Sequence, residues 1–354
     1  MSQRETGPSQ TCTMIAVMKC YFCTAIAIAF ALQTLTAWSA SPEPEQGVLL
    51  VANKGDRTLG IIDPAAGKQV AAVPENGVTG HEAIASPDGK TAYVPIYGNS
   101  GVGKPGTDGS NMVAIDIATR KIVGNLDFGH GVRPHCAQFG PKDGLLYVST
   151  ELDRSISIVD PKALKIIGSV PTGQAESHMF VISHDGKRGY TANVGPGTVS
   201  VLDLDARKTL QVIPISPNTQ RISISMDDKS VFTSDQTKPR LAVINTLTNK
   251  VENWVDLPGL GYGTAPTPDG KWLVVAVPPA NKVAVVDLHT LRVAHTIDVP
   301  KAPQEALVRP DGKMAYVSCD ASAKVVAIRT SDWKVDALID AGKGADGLAW
   351  AASR

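Results

Sequence analysis

The chain has 354 residues, and its 34 basic side chains are balanced by 34 acidic ones. A balanced charge provides no basic surface for neutralising phosphates, so nucleic acid is not expected as a partner. The length allows one large domain or two ordinary ones.

The N-terminus reads as an export signal. Met18 and Lys19 open a short charged start, and residues 20–35 form an apolar run broken only by Thr24, Gln33 and Thr34. Residues 36–40 (TAWSA) supply small residues for cleavage, and the polar SPEPEQ follows. The run is short of the roughly 20 apolar residues that a spanning helix needs. Residues 1–40 are therefore expected to be a signal peptide, with a true start at Met14 or Met18, and 41–46 a linker. A periplasmic or secreted protein with no membrane span after cleavage follows; an uncleaved anchor is the alternative. Cys12, Cys20 and Cys23 precede the body, and the widely separated Cys136 and Cys319 read as free thiols.

From residue 47 onward short β-prone runs alternate with turn clusters, without helical periodicity. One unit recurs as SPDGK (86–90), GPKDG (140–144), SHDGK (183–187), SMDDK (225–229), TPDGK (267–271) and RPDGK (309–313). Its aspartates, Asp88, Asp143, Asp185, Asp227, Asp269 and Asp311, are spaced by 55 residues and then by 42 four times. Turn residues of this kind join a strand end to a new strand. A second marker keeps step: an acid or amide, then a basic residue five positions on, as in Asp63/Lys68, Asp160/Lys165 and Asp287/Arg292. Each repeat reads as four antiparallel strands, the signature of a propeller blade. The blade around Asp63 lacks its first strand, and DGLAWA (346–351) at the far end supplies it. The predicted fold is an all-β, seven-bladed propeller over residues 47–354, closed by a C-terminal strand joining the N-terminal three.

The tetrapeptides YVST (147–150), YTAN (190–193), YVSC (316–319) and LVAN (50–53), followed by strands such as SISIVD, TVSVLD and KVAVVD, resemble the YVTN-type β-propeller repeat family. The resemblance spans nearly all of the body. It implies the propeller fold and leaves function open, because such rings serve as enzymes, enzyme subunits and binding modules.

The 55-residue gap carries an insertion, GNSGVGKPGTDGS (98–110). It is not a phosphate loop, since Pro105 follows Lys104 and no helix pattern comes after, and no nucleotide is expected. It is either a tolerated surface loop or a lid.

The start of each innermost strand opens at the channel mouth, on the face away from the PDGK turns. Those positions are His81, His135, His178, Gln220, Tyr262, Gln304 and Asp346. Three consecutive blades carry histidine there. Imidazoles converging on the axis can bind a divalent transition metal such as zinc, iron or copper, leaving a position open for chemistry. Glu82 and Glu305 are candidate catalytic carboxylates, and Glu176, Glu151, Asp235 and Asp320 lie on the same face. Arg133 and Arg221 are candidates for holding an anionic substrate, and Tyr97 and Tyr262 for covering or contacting it. Alternatively, the histidines cap strand starts. No C-x-x-C-H, G-x-S-x-G or H-E-x-x-H motif occurs, so no haem is expected, nor a serine-hydrolase elbow or zincin helix. These features predict an exported propeller performing metal-assisted chemistry on a small-molecule ligand. The alternatives are a non-catalytic envelope binding or scaffold protein, or a non-redox subunit of a larger enzyme with a protein partner.

Overall fold

The computed structural model describes residues 46–353, and the expected signal peptide and linker up to residue 45 lie outside them. The body is seven four-stranded antiparallel sheets, in six of which the four strands follow one another in the chain. The seventh is the exception: Gly47–Asn53, Thr58–Asp63 and Lys68–Pro74 are joined by Ala345–Ala352, which pairs antiparallel to Gly47–Asn53. The ring thus closes as the split repeat predicts. Leu49 lies opposite Trp350 and Val51 opposite Leu348, so closure is hydrogen-bonded and apolar at once. We number the blades from this one, in chain order.

Local chemistry sets each corner. In the PDGK turn of blade 2, Asp88 Oδ1 accepts hydrogen bonds from Ser86 Oγ (2.6 Å) and the Lys90 amide (3.1 Å), and Gly89 sits at φ +71°. The same serine- or threonine-to-aspartate bond recurs at Ser183–Asp185, Ser225–Asp227 and Thr267–Asp269. In the second marker the acid caps the turn, as when Asp160 Oδ1 accepts from the Lys162 (2.9 Å) and Ala163 (3.1 Å) amides. Arg329 replaces that acid in blade 7 and pairs instead with Asp332 and Asp336.

The middle strands of each blade bury both faces, as in Thr198–Asp203 with its four central residues buried, whereas outer strands such as Lys165–Pro171 alternate. Blades pack through apolar layers, for example Tyr147, Phe180 and Ile222 across blades 3 to 5. Burying such side chains contributes about 1.5–3 kcal/mol each. Cys136 and Cys319 are buried free thiols. Among the described residues no helix is long and apolar enough to cross a membrane.

Removing residues 345–352 exposes one edge of Gly47–Asn53 and reopens the ring. The truncated chain is expected to lose its cooperative thermal transition and to aggregate on size-exclusion chromatography. Leu348→Ala, which keeps the strand, is expected to cost about 2–5 kcal/mol in urea unfolding.

Candidate functional site at the channel mouth

The residues that face the channel are held by a repeated irregularity. In five blades the innermost strand slips register against its neighbour at or next to the predicted starting position: between Ser177 and Met179, Gln220 and Ile222, Pro134 and Ala137, Pro303 and Ala306, and opposite Val51/Asn53 at the closing strand. The residues left out of the ladder are His178, Arg221, His135 with Cys136, Gln304 with Glu305, and Asp346 with Gly347. A bulge leaves one residue unpaired and re-aims it, here towards the channel. Arg133 (φ 50°) and Arg221 (φ 58°) also take left-handed backbone conformations, strain that a side chain other than glycine bears at a cost of about 1–3 kcal/mol.

The three histidines do meet. His81, His135 and His178 line one cavity of about 370 Å³ with Tyr97, Lys54, Lys104, Gln220, Arg221, Tyr262 and Asp346. Ring centroids are 5.6 Å apart for His81–His135 and 3.5 Å for His135–His178, the latter pair tilted by 33°. Tyr97 stands among them at 4.7, 5.2 and 5.3 Å. Among the described residues no group of three His, Cys, Asp or Glu is arranged to hold a metal ion.

Burial keeps the imidazoles neutral: it pushes His81 down to about 3 and His135 well below its ordinary value, and lowers His178 as well. Glu151 is held below the usual carboxylate range: burial opposes this, and the contacts with His178 and Tyr97 outweigh it. Its Oε2 accepts from Tyr97 Oη (2.6 Å) and lies 3.3 Å from His178 Nδ1. An ionised carboxylate only accepts, so Nδ1 carries the proton and Nε2 is the ring's basic nitrogen. His135 Nδ1, in a residue 1% exposed, has no hydrogen-bond partner; Gln220 Oε1 and Arg221 Nε at the same mouth are likewise buried without one.

The insertion covers part of the mouth. Its ends extend the two flanking strands, Thr91–Gly98 and Asp108–Asp116, leaving residues 99–107 to fold over the mouth, where Gly101, Val102 and Lys104 line the histidine cavity. Arg133 fastens it, donating from Nε to Asp108 Oδ1 (2.6 Å) and from Nη2 to the Lys104 carbonyl (2.7 Å). Gly103 takes φ +65°, a left-handed conformation that suits glycine, and Glu176 Oε1 lies 2.5 Å from where a Cβ would stand.

Beneath the histidines lies a layer of charge. Arg221 Nη1 donates to both Glu82 and Glu305, Nη2 donates to Asp346 (3.0 Å), and its guanidinium lies 4.7 Å from the Tyr262 ring centroid. Lys54 bridges Asp320 (2.8 Å) and Asp346 (3.0 Å). Burial pushes Glu82 up to about 8 and Glu305 up to about 7, against the opposing pull of Arg221. Both arginines expected to meet an anionic substrate are thus engaged by the protein itself, Arg133 by the insertion and Arg221 by carboxylates. Cys136 is inert, its thiol raised to about 12 by burial. His130, His184 and His295 lie elsewhere: His130 pairs with Asp153, His184 with Asp228, and His295 packs by Trp272 and Trp333. Lys54 and Gln236 share one repeat slot with Tyr97 and Glu151, just after the second strand in three blades and inside the extended strand Thr91–Gly98 in the fourth, and that register is visible in the chain.

The comparisons bear on this geometry. No curated protein matches the chain. Its fold is similar to that of a functionally unknown protein from Desulfotomaculum acetoxidans DSM 771 (TM-score 0.72, 14% identity, 87% of this chain and 100% of that one). It is also similar to the dihydro-heme d1 dehydrogenase NirN in complex with DHE (TM-score 0.63, 14% identity, 88% of this chain and 77% of that one). Residues 141–351 match the family model described as Cytochrome D1 heme domain. The propeller reading therefore stands, and the family named is not the YVTN type. The expectation of no haem is overturned by this match. The missing C-x-x-C-H excludes only covalent attachment; a haem held by an axial ligand and pocket contacts needs no cysteine pair. By a match over more than half of its length, the chain belongs to the cytochrome D1 heme domain family.

Proposed function

We propose that the lidded mouth binds a haem-type tetrapyrrole of the d1 class, with His178 as the iron ligand. The observation that carries this is the pairing of His178 Nδ1 with the buried Glu151, which orients the ring and leaves Nε2 free, in a family named for its haem domain. The donor set suits the group. His135 offers a buried nitrogen without a partner, an arrangement that costs about 1–3 kcal/mol unless something fills it. His81 adds a third neutral imidazole, and Lys104 sets positive charge at the rim for anionic ring substituents. NirN, solved in complex with DHE, supports a ligand of this kind on the same fold. The cavity of about 370 Å³ lies near the lower end of ligand pockets, about 300–1,000 Å³. Entry of a macrocycle therefore requires Tyr97 and the lid to move together.

The bound group would supply iron-centred redox or ligand-binding chemistry. The chain's own residues orient it, exclude water beneath the lid and keep the nitrogens unprotonated. This reading replaces three histidines on one ion with one histidine on one iron. The apolar run at residues 20–35 supports an exported, periplasmic protein.

Haemin titration followed at the Soret band tests the ligand assignment. The wild-type chain is expected to saturate with a shifted band, His178→Ala to lose the shift, and Glu151→Gln to weaken binding about tenfold. Equal spectra for wild type and His178→Ala overturn it.

The depressed histidines give a second expectation. A group whose pKa falls on folding stays deprotonated at pH values where a free imidazole is charged. Haemin affinity is therefore expected to stay within about threefold between pH 7.5 and 5.5. An ordinary imidazole of pKa about 6.5 would lose about tenfold over that range through proton competition.

Replacing residues 99–107 by a two-residue turn is expected to speed both haemin association and release in stopped flow. Unchanged rates would mean that the insertion does not gate the mouth.

A further inference from the structure

A buried carboxyl stands where the segment leading to His81 meets the strand that carries Tyr97. Glu75 follows Lys68–Pro74, the outer strand of blade 1, and is fully buried. Its Oε2 accepts from the Gly80 amide (2.7 Å), and among the described residues nothing donates to Oε1. That one bond closes residues 75–80 into a loop. The carboxyl is tightly enclosed: a Cβ on Gly80 would lie 3.3 Å from Glu75 Cδ and 2.5 Å from Val94 Cγ1.

The loop holds more than itself. Gly80 bridges Ile96, and the Thr79 carbonyl accepts from the amides of Tyr97 (2.9 Å) and Gly98 (3.3 Å). Tyr97 stands among the histidines, Gly98 begins the insertion, and His81 directly follows Gly80. The Glu75–Gly80 bond therefore secures the point from which all three depart.

An ionised carboxylate here has one donor for two oxygens, which is costly away from water. The charged groups around it are committed elsewhere. On the turn 54–57, Lys54 pairs with Asp320 and Asp346, Asp56 accepts from the Lys343 amide, and the Arg57 carbonyl accepts from the Glu75 amide. On Thr91–Gly98, Tyr93 donates to the Pro161 carbonyl and Tyr97 to Glu151. His81, at the end of the loop, is kept neutral by its own burial. Burial pushes Glu75 up to about 7, against the opposing pull of the Gly80 amide.

We propose that Glu75 is a proton-operated latch on the mouth: protonated, it keeps residues 79–80 against Ile96–Gly98, and once ionised it loosens His81, Tyr97 and the base of the insertion together. The sign follows from linkage. The closed loop holds a proton that an open, solvated glutamate near 4.5 gives up, so opening becomes easier as pH rises from about 4.5 to about 7 and then levels off. Between pH 6 and 8 the opening equilibrium rises about tenfold. While the closed form predominates, easier opening speeds entry and release alike and leaves affinity unchanged.

Carboxyl-carbon NMR and amide hydrogen exchange on the chain without ligand test the latch, so the outcome stands apart from the haem reading. The Glu75 carboxyl is expected to titrate with a midpoint near 7. Protection factors of the Gly80, Tyr97 and Gly98 amides are expected to fall together, about tenfold between pH 6 and 8. In Glu75→Gln, nearly isosteric and uncharged, they are expected to change less than about twofold. The carboxyl midpoint is read on the wild-type chain alone, and so decides even where the variant folds poorly. A midpoint below about 6, the same pH profile at Gly80 in both chains, or loss of protection at Gly80 without loss at Tyr97 and Gly98 overturns the proposal.

Discussion

Arg221 joins the ring across its own axis. Its guanidinium receives Glu82 from blade 2, Glu305 from blade 7 and Asp346 from the closing strand of blade 1, while its backbone belongs to blade 5. Four of seven blades are thus braced through one side chain at the centre, where neighbouring blades cannot touch across the channel. Burying such a cluster is costly, and removing one partner is worse than never having the set, because it strands the remaining charges. The same layer supports the histidines above it. The histidine cavity and its neutral imidazoles depend on where this layer sits.

The site above is ordered by hydrogen bonds that extend outward from Glu151. This carboxylate meets His178 and Tyr97, and the lid's Gly103 amide and Arg133 at 3.4 Å. One group thus links the orientation of the imidazole, the ring that covers it and the loop that closes it. A change in the lid is thereby transmitted to the histidine that the proposed ligand needs. Neutral histidines follow from the same enclosure: burial disfavours the imidazolium more than Glu151 and Asp346 favour it.

Haem escaped the sequence reading for a chemical reason. Covalent haem attachment leaves a cysteine motif in the chain, whereas an axial histidine in a pocket leaves only a histidine. What drew attention to His81, His135 and His178 was their shared place in the repeat, and that same regularity suggested one shared ion. The 3.5 Å approach of the His135 and His178 rings could not be read from register, because it depends on bulges that differ between the two blades.

The sequence by itself determined the ring. A 42-residue period, turn aspartates that bond their own backbone and a missing strand found at the opposite end are local or repeated features. They specify blade number, closure and face without any three-dimensional knowledge. Its register also places His81, His135, His178, Gln220, Tyr262 and Asp346 around one cavity at the mouth. Only the tertiary structure decided what those residues do. Arg133 became the fastening of the insertion and Arg221 the centre of a charge layer, because their partners Asp108, Glu82, Glu305 and Asp346 lie 25 to 139 residues away in the chain. Contacts across the axis of a ring carry no periodic signal, and they emerge only when all seven blades face one channel.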